Sequence, residues 1–105
     1  MPADSKVVES LVQNIVEAVH PLKIILFGSY ARGKACPDSD IDVLVVMPES
    51  AHCRRTAQLL YRQIKGLGVP FDILVTTHSK LEKHKDNIGL IYRTVLQEGQ
   101  EIYAA

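Results

Sequence analysis

The chain has 105 residues, of which 47% are hydrophobic and 23% are charged, and this balance predicts a globular protein rather than a disordered one. Its 12 basic and 12 acidic residues give a net charge of zero, which excludes attachment to nucleic acid or a membrane surface through bulk charge. The cysteines have no zinc-type spacing and no apolar run approaches the ~20 residues of a membrane helix, so we expect one cytoplasmic domain over residues 1–105, without a signal peptide.

The predicted elements begin with a helix over residues 5–19, where apolar residues recur at helical spacing. A short apolar strand is predicted over residues 23–27 and a second one over residues 41–47, IDVLVVM. The link between these strands, residues 28–40, is short for a crossover between parallel strands, which usually needs about a dozen residues or more. It is therefore either a crossover or a wide hairpin, and the direction of the strands stays open.

The second half of the chain predicts two further helices and at least one strand. A helix is expected over residues 50–65, a strand over residues 69–76, and helical structure over residues 78–98 with a break near its middle. Ile102 and Tyr103 form either a short last strand or an apolar contact with the core. This order of elements predicts an α/β fold in which helices pack on a small sheet.

Two aspartates at the start of the second predicted strand share one face of it. Asp40 and Asp42 are separated by Ile41, so their Cβ atoms are expected roughly 6–7 Å apart, twice the rise of a strand. Carboxylates this close repel each other unless a cation lies between them, and Mg²⁺ prefers such hard oxygen ligands. The alternative is a solvated turn in which Asp42 faces water.

A third aspartate, Asp72, interrupts the apolar run VPFDILVTT. An ionised carboxylate in such a strand requires a partner. If the second and third strands are neighbours, Asp72 lies beside Asp40 and Asp42. Three carboxylates then form a one- or two-metal site, where one of them can also accept the proton of a nucleophile. The alternative is an edge residue or a member of a salt bridge.

The segment GSYARGK, which begins at Gly28, is a candidate phosphate site. Gly28 can adopt a positive φ or admit a ligand to the backbone, and Ser29 can cap a short helix whose first N–H groups bind an anion. Arg32 adds positive charge nearby. The P-loop pattern fails at Ala35, where it requires a hydroxyl group. A plain strand-to-helix turn is the alternative, but combined with the aspartates the segment suggests a nucleoside triphosphate with its Mg²⁺, and nucleotidyl transfer.

The sequence GSYARG from Gly28, followed by SDID from Ser39, resembles the signature of the nucleotidyltransferase superfamily that includes DNA polymerase β. The chain is most similar to the minimal nucleotidyltransferases, the MNT family, and the resemblance covers nearly its whole length. It implies the nucleotidyltransferase fold with a small mixed β-sheet, ATP as the substrate and a two-metal Mg²⁺ site. The nucleotide-binding residues that it implies are Gly28, Ser29, Arg32 and Ser39. The catalytic and metal-binding residues that it implies are Asp40, Asp42 and Asp72.

The resemblance also implies a biological role. Minimal nucleotidyltransferases are often encoded beside a HEPN-domain toxin, to which they transfer AMP from ATP on a tyrosine, and they thereby act as its antitoxin. One alternative is a non-catalytic antitoxin that neutralises its partner by occlusion. A second alternative is a nucleotidyltransferase of small molecules similar to those that inactivate aminoglycosides, which the short C-terminal half disfavours because no pocket for such an acceptor is evident.

Overall fold

The computed structural model describes residues 5–28, 30–31, 40–84 and 99–105, which contain three helices and four strands. The helices are α1 (Ser5–Val19), α2 (Cys53–Gln63) and α3 (His78–His84). The strands are β1 (Lys23–Phe27), β2 (Ile41–Met47), β3 (Phe71–Thr77) and β4 (Gln100–Ala104). Among the described residues, no helix combines the length and the apolar character needed to cross a membrane.

Most predicted elements occur where the sequence places them. The predicted helix 5–19 and the predicted strands 23–27 and 41–47 coincide with α1, β1 and β2, and the segment around Ile102 and Tyr103 forms strand β4. The helix predicted over 78–98 is confirmed as far as His84 by α3, and its remainder lies outside the described residues. The prediction of an α/β fold with a small mixed sheet is therefore confirmed.

Helix α2 begins later than predicted because a histidine caps it. His52 has extended backbone dihedrals, and its Nδ1 accepts a hydrogen bond of 3.3 Å from the backbone N–H of Arg55. The hydroxyl and the backbone N–H of Thr56 both donate to the carbonyl of His52, at 2.9 Å each. The bond to His52 Nδ1 gives the Arg55 N–H, which the first turn of a helix otherwise leaves without a partner, an acceptor.

The four strands form one mixed sheet in the order β3-β2-β1-β4. Strand β1 pairs antiparallel with β2 and with β4, whereas β2 pairs parallel with β3. The link between β1 and β2 therefore joins antiparallel neighbours, so the hairpin alternative holds and no crossover is present there. Helix α2 supplies the crossover that parallel β2 and β3 require.

Helices α1 and α2 cover one face of the sheet. Ile41, Val43 and Val45 point to this face from β2, and all three side chains are fully buried. The main helical residues of the same cluster are Leu11, Ile15, Leu60 and Ile64. Burial of each large aliphatic side chain contributes roughly 1.5–3 kcal/mol, so this layer supplies much of the stability of the domain.

The other face of the sheet carries a smaller apolar cluster and the aspartates. Its buried members are Ile25, Phe27, Leu44, Val46 and Leu81, the last of which comes from α3. Because side chains alternate along a strand, Asp42 lies on the same face as Leu44 and Val46. The candidate site is therefore at the end of the sheet where β2 and β3 both begin, opposite the face that α1 and α2 cover.

Candidate functional site

Asp42 and Asp72 are direct cross-strand neighbours in the parallel pairing of β2 with β3. Neighbouring strands lie about 4.8 Å apart, so two side chains in register on one face are close together. Asp42 is half-buried and Asp72 is exposed. Burial of the Asp42 carboxyl raises its pKa, and the negative charges of Asp72 and then Asp40 raise it further. This pair of carboxylates is electrostatically unfavourable until a cation neutralises it.

Asp40 is the exposed residue immediately before β2. Its effect on the pKa of Asp42 shows that its charge reaches that carboxyl. Within the described residues, however, no group of three or more histidine, cysteine, aspartate or glutamate side chains is gathered closely enough to hold a metal ion. Mg²⁺ is often bound by one or two carboxylates with waters and substrate phosphates, so the donor set of Asp42 and Asp72 fits this ion.

Gly28 brings the glycine end of the signature against the aspartate end. Phe27, the last residue of β1, is the pairing partner of Asp42, and Gly28 follows it with a φ of +76°. A Cβ at residue 28 would overlap Oδ2 of Asp42 and lie 3.3 Å from its Cγ. The positive φ predicted for this position is present, whereas the approach of a ligand to this backbone stays a prediction.

The turn after Gly28 is anchored in the core. Tyr30 and Ala31 are buried in the cluster that packs beneath α1 and α2. The carbonyl of Ala31 accepts a hydrogen bond of 2.7 Å from Nε2 of Gln100 on strand β4. Three predicted nucleotide-binding residues lie outside the described residues, namely Ser29, Arg32 and Ser39. Their roles stay predictions.

Sequence reasoning missed a contact that Tyr61 makes beside the aspartates. Tyr61 belongs to α2, where helical spacing places it near the apolar face, yet 45% of its surface is exposed. Its hydroxyl accepts a hydrogen bond of 2.7 Å from the backbone N–H of Ile73, and its ring stacks on that of Phe71. Phe71 and Ile73 flank Asp72 in β3. No signal in the sequence indicates this contact, because it depends on how α2 lies along the strand.

Two curated proteins from Methanocaldococcus jannaschii are similar in sequence, and both are named "putative protein adenylyltransferase". The first is 37% identical over 81 residues, which are 77% of this chain and 77% of that protein. The second is 33% identical over 54 residues, which are 51% of this chain and 54% of that protein.

Two solved structures share the fold. A protein described as a "putative nucleotidyltransferase" from Sulfolobus solfataricus matches with a TM-score of 0.63 and 22% identity, covering 94% of this chain and 78% of the other. A chain from a crystal structure of a toxin–antitoxin with AMP-PNP matches with a TM-score of 0.60 and 22% identity, covering 92% of this chain and 73% of the other. At this level of identity the likeness concerns the fold alone.

A family model described as a nucleotidyltransferase domain matches residues 5–102, nearly the whole chain. The match includes strands β1 to β3, the start of β4 and the three aspartates, in agreement with the signature that begins at Gly28. The chain belongs to the nucleotidyltransferase domain family and is an enzyme of that family.

Proposed function

We propose that this nucleotidyltransferase transfers AMP from ATP to a tyrosine hydroxyl of a partner HEPN toxin, in a reaction that depends on Mg²⁺, and that it acts as the antitoxin of that partner. The observation that carries the proposal is the site at the start of β2 and β3. There Asp42 is in register with Asp72, and the backbone of Gly28 packs against the Asp42 carboxylate.

Asp42 and Asp72 are the residues that would bind Mg²⁺, whereas Asp40, which is not gathered with them into a group of three, stays a predicted third ligand. The raised pKa of Asp42 supports this assignment, because an arrangement in which carboxylates raise one another's pKa favours a bound cation. When bound, Mg²⁺ neutralises phosphate charge and stabilises the leaving pyrophosphate. Mg²⁺ fits this site because Asp42 and Asp72 are in register on neighbouring parallel strands and both offer carboxylate oxygens, the ligands that Mg²⁺ prefers.

The transfer step forms one bond and breaks one. The acceptor hydroxyl oxygen forms a bond to the α-phosphorus of ATP, and the bond from that phosphorus to the bridging oxygen breaks, so pyrophosphate leaves. The hydroxyl proton passes to a carboxylate oxygen, for which exposed Asp72 is the better candidate because an incoming acceptor can reach it. Asp42, which is half-buried, would then serve mainly as the metal ligand.

The glycine end would bind the triphosphate. The Asp42 carboxylate occupies the space that a side chain at residue 28 would fill, so Gly28 would bring the phosphate-binding turn next to the metal ligand. Ser29, Arg32 and Ser39 would supply hydroxyl, guanidinium and further hydroxyl contacts to the phosphates, as the signature implies. Phosphate and metal would thus meet where β1 ends and β2 begins.

The proposed acceptor is a protein for two reasons. The M. jannaschii relatives are named as protein adenylyltransferases, and one structural neighbour comes from a toxin–antitoxin that contains AMP-PNP, an ATP analogue. Both observations support ATP as the donor. The HEPN toxin and its tyrosine come from the resemblance of the chain to the minimal nucleotidyltransferases.

The test is transfer of labelled AMP to the HEPN-domain protein encoded beside this chain, with and without Mg²⁺. Wild-type protein should label that partner, whereas Asp42→Asn and Asp72→Asn should lower the rate by about 100-fold or more. Glu9→Gln is the matched control, because it makes the same acid-to-amide change at an exposed position of α1. Absence of label with the wild type, or equal transfer by the aspartate variants, would overturn the proposal. Rescue of cell growth by the inactive variants would favour occlusion instead.

A further inference from the structure

Asp72 lies on β3, which is an edge strand of the sheet formed by the described residues. An edge strand is held by a neighbouring strand on one side only. The inner side of β3 pairs with β2. At the start of the strand this pairing includes a hydrogen bond of 3.0 Å from the N–H of Ile41 to the carbonyl of Pro70. The outer side needs a contact of another kind if the position of Asp72 is to be fixed.

Tyr61 provides such a contact on the outer side. Its hydroxyl accepts the N–H of Ile73 at 2.7 Å, on one side of Asp72. Its ring stacks on Phe71 on the other side, with centroids 5.6 Å apart and planes inclined by 10°. One side chain therefore binds both neighbours of Asp72, Ile73 through its backbone N–H and Phe71 through its ring, and neither interaction involves the carboxylate.

Tyr61 is not mainly a core residue. It is 45% exposed, whereas Leu60 and Ile64 anchor α2 in the core and are 0% and 4% exposed. Removal of the Tyr61 hydroxyl alone should therefore leave the attachment of α2 to the sheet intact. Its main consequence would be an unsatisfied N–H at Ile73 and a looser edge strand.

We propose that Tyr61 is a positioning residue for Asp72, which it holds in register with Asp42 by binding the edge strand at Ile73 and Phe71. The inference rests on the proposed function, since Asp72 has a catalytic role only there. Small displacements of a catalytic group are costly, and an error of about 1 Å can reduce the rate by about 100-fold. A residue that limits the motion of β3 would thereby raise kcat without contacting ATP.

The conservative variant Tyr61→Phe tests this proposal, because it keeps the ring stack and removes only the acceptor oxygen. We expect hydrogen exchange of the Ile73 amide to accelerate about 10-fold. The kcat for AMP transfer should fall by about 10-fold, while KM for ATP stays unchanged because the phosphate end of the site is untouched. Tyr103→Phe is the matched control, since Tyr103 lies on β4 at the opposite edge of the sheet.

Three results would overturn the proposal. The first is a Tyr61→Phe variant whose kcat and Ile73 amide exchange rate equal those of the wild type. The second is an equal loss of kcat in Tyr103→Phe. The third is uniform acceleration of exchange through α1, β1 and β2 in Tyr61→Phe, which would show a general loss of stability rather than a local effect on Asp72.

A Mg²⁺ titration followed by NMR separates this proposal from the proposed function, because it requires no AMP transfer. Bound Mg²⁺ should shift the backbone amide signals of Asp42 and Asp72 in the wild type. If Tyr61→Phe reduces the shift at Asp72 but not at Asp42, the positioning role stands even if the acceptor is not a protein. Identical shifts of both amides in variant and wild type would refute it.

Discussion

Gly28 lies directly against the carboxylate of Asp42, at a place where even a methyl group would overlap Oδ2. Gly28 and Asp42 are fourteen residues apart in the sequence, but the antiparallel pairing of β1 with β2 brings them together. The phosphate and metal ends of the proposed site are therefore one continuous surface.

Gly28→Ala should consequently both destabilise the protein and inactivate it. The overlap with Asp42 and the positive φ of residue 28 predict a loss of about 1–3 kcal/mol in the free energy of unfolding, measured in urea. We expect the double variant Gly28→Ala/Asp42→Ala to recover part of this stability, because removal of the carboxylate relieves the overlap. Strictly additive losses in the double-mutant cycle would show that the contact is unimportant. AMP transfer should stay lost in both variants.

Asp42→Asn should stabilise the metal-free protein at neutral pH. Folding raises the pKa of Asp42 above its usual 3.8, so the folded state binds that proton more tightly than the unfolded state does. The protonated Asp42 thus contributes to the free energy of unfolding of the wild type below its unfolded pKa. This contribution is lost as the pH rises through the folded pKa, where Asp42 becomes charged. The gain of the variant over the wild type should therefore appear at pH 7 and vanish below the usual pKa. It should not exceed about 1 kcal/mol, because solvent screens a half-buried carboxylate.

The measurement is urea unfolding of the wild type and Asp42→Asn, without divalent cations, from pH 7 to below the usual pKa of Asp42. Glu9→Gln serves as a control for the loss of a negative charge at an exposed position. A variant that is less stable than the wild type at pH 7 would contradict the repulsion between Asp42 and its neighbours.

Divalent cations should stabilise the folded protein by binding to Asp42 and Asp72. A cation at ten times its dissociation constant adds about 1.4 kcal/mol to the free energy of unfolding, which raises Tm by several degrees in a domain of this size. Differential scanning calorimetry with MgCl₂ or MnCl₂ measures this shift, with NaCl of equal ionic strength as the control. Asp42→Asn and Asp72→Asn should each reduce it strongly. A shift of equal size in these variants would place the cation elsewhere.

His52→Ala should destabilise the protein without changing the chemistry. Loss of the side chain that accepts the N–H of Arg55 at the start of α2 should cost about 0.5–2 kcal/mol. His52→Asn, which can replace the cap, should recover most of the loss. The kcat per folded molecule should equal that of the wild type in both variants, because His52 is at the opposite end of β2 from Asp42. Unequal kcat values would contradict the separation of the cap from the site.

The strands could be predicted from sequence where short apolar runs end at glycine or proline. β1 ends before Gly28 and β2 ends before Pro48, and both have the predicted bounds. Such features depend on residues that are neighbours in the chain, so they can be predicted from the sequence.

Features that depend on contacts distant in sequence could not be predicted in the same way. The sequence does not determine whether β1 and β2 run parallel or antiparallel, because the length of their link suits both geometries. The pairing of Asp42 with Asp72 was conditional on β2 and β3 being neighbours, which the structure confirms. The contact of Tyr61 with Ile73 requires a particular placement of α2, and no spacing in the sequence encodes it.

The hydroxyl of Tyr61 also bears on solubility. Exposed edge strands present free backbone N–H and C=O groups, on which strands of other chains can add and begin aggregation. By accepting the N–H of Ile73, Tyr61 removes one of the donors that an incoming strand would need. The side chain that binds the edge strand should thus also hinder intermolecular sheet formation beside Asp72, at the edge of the sheet that carries the proposed site.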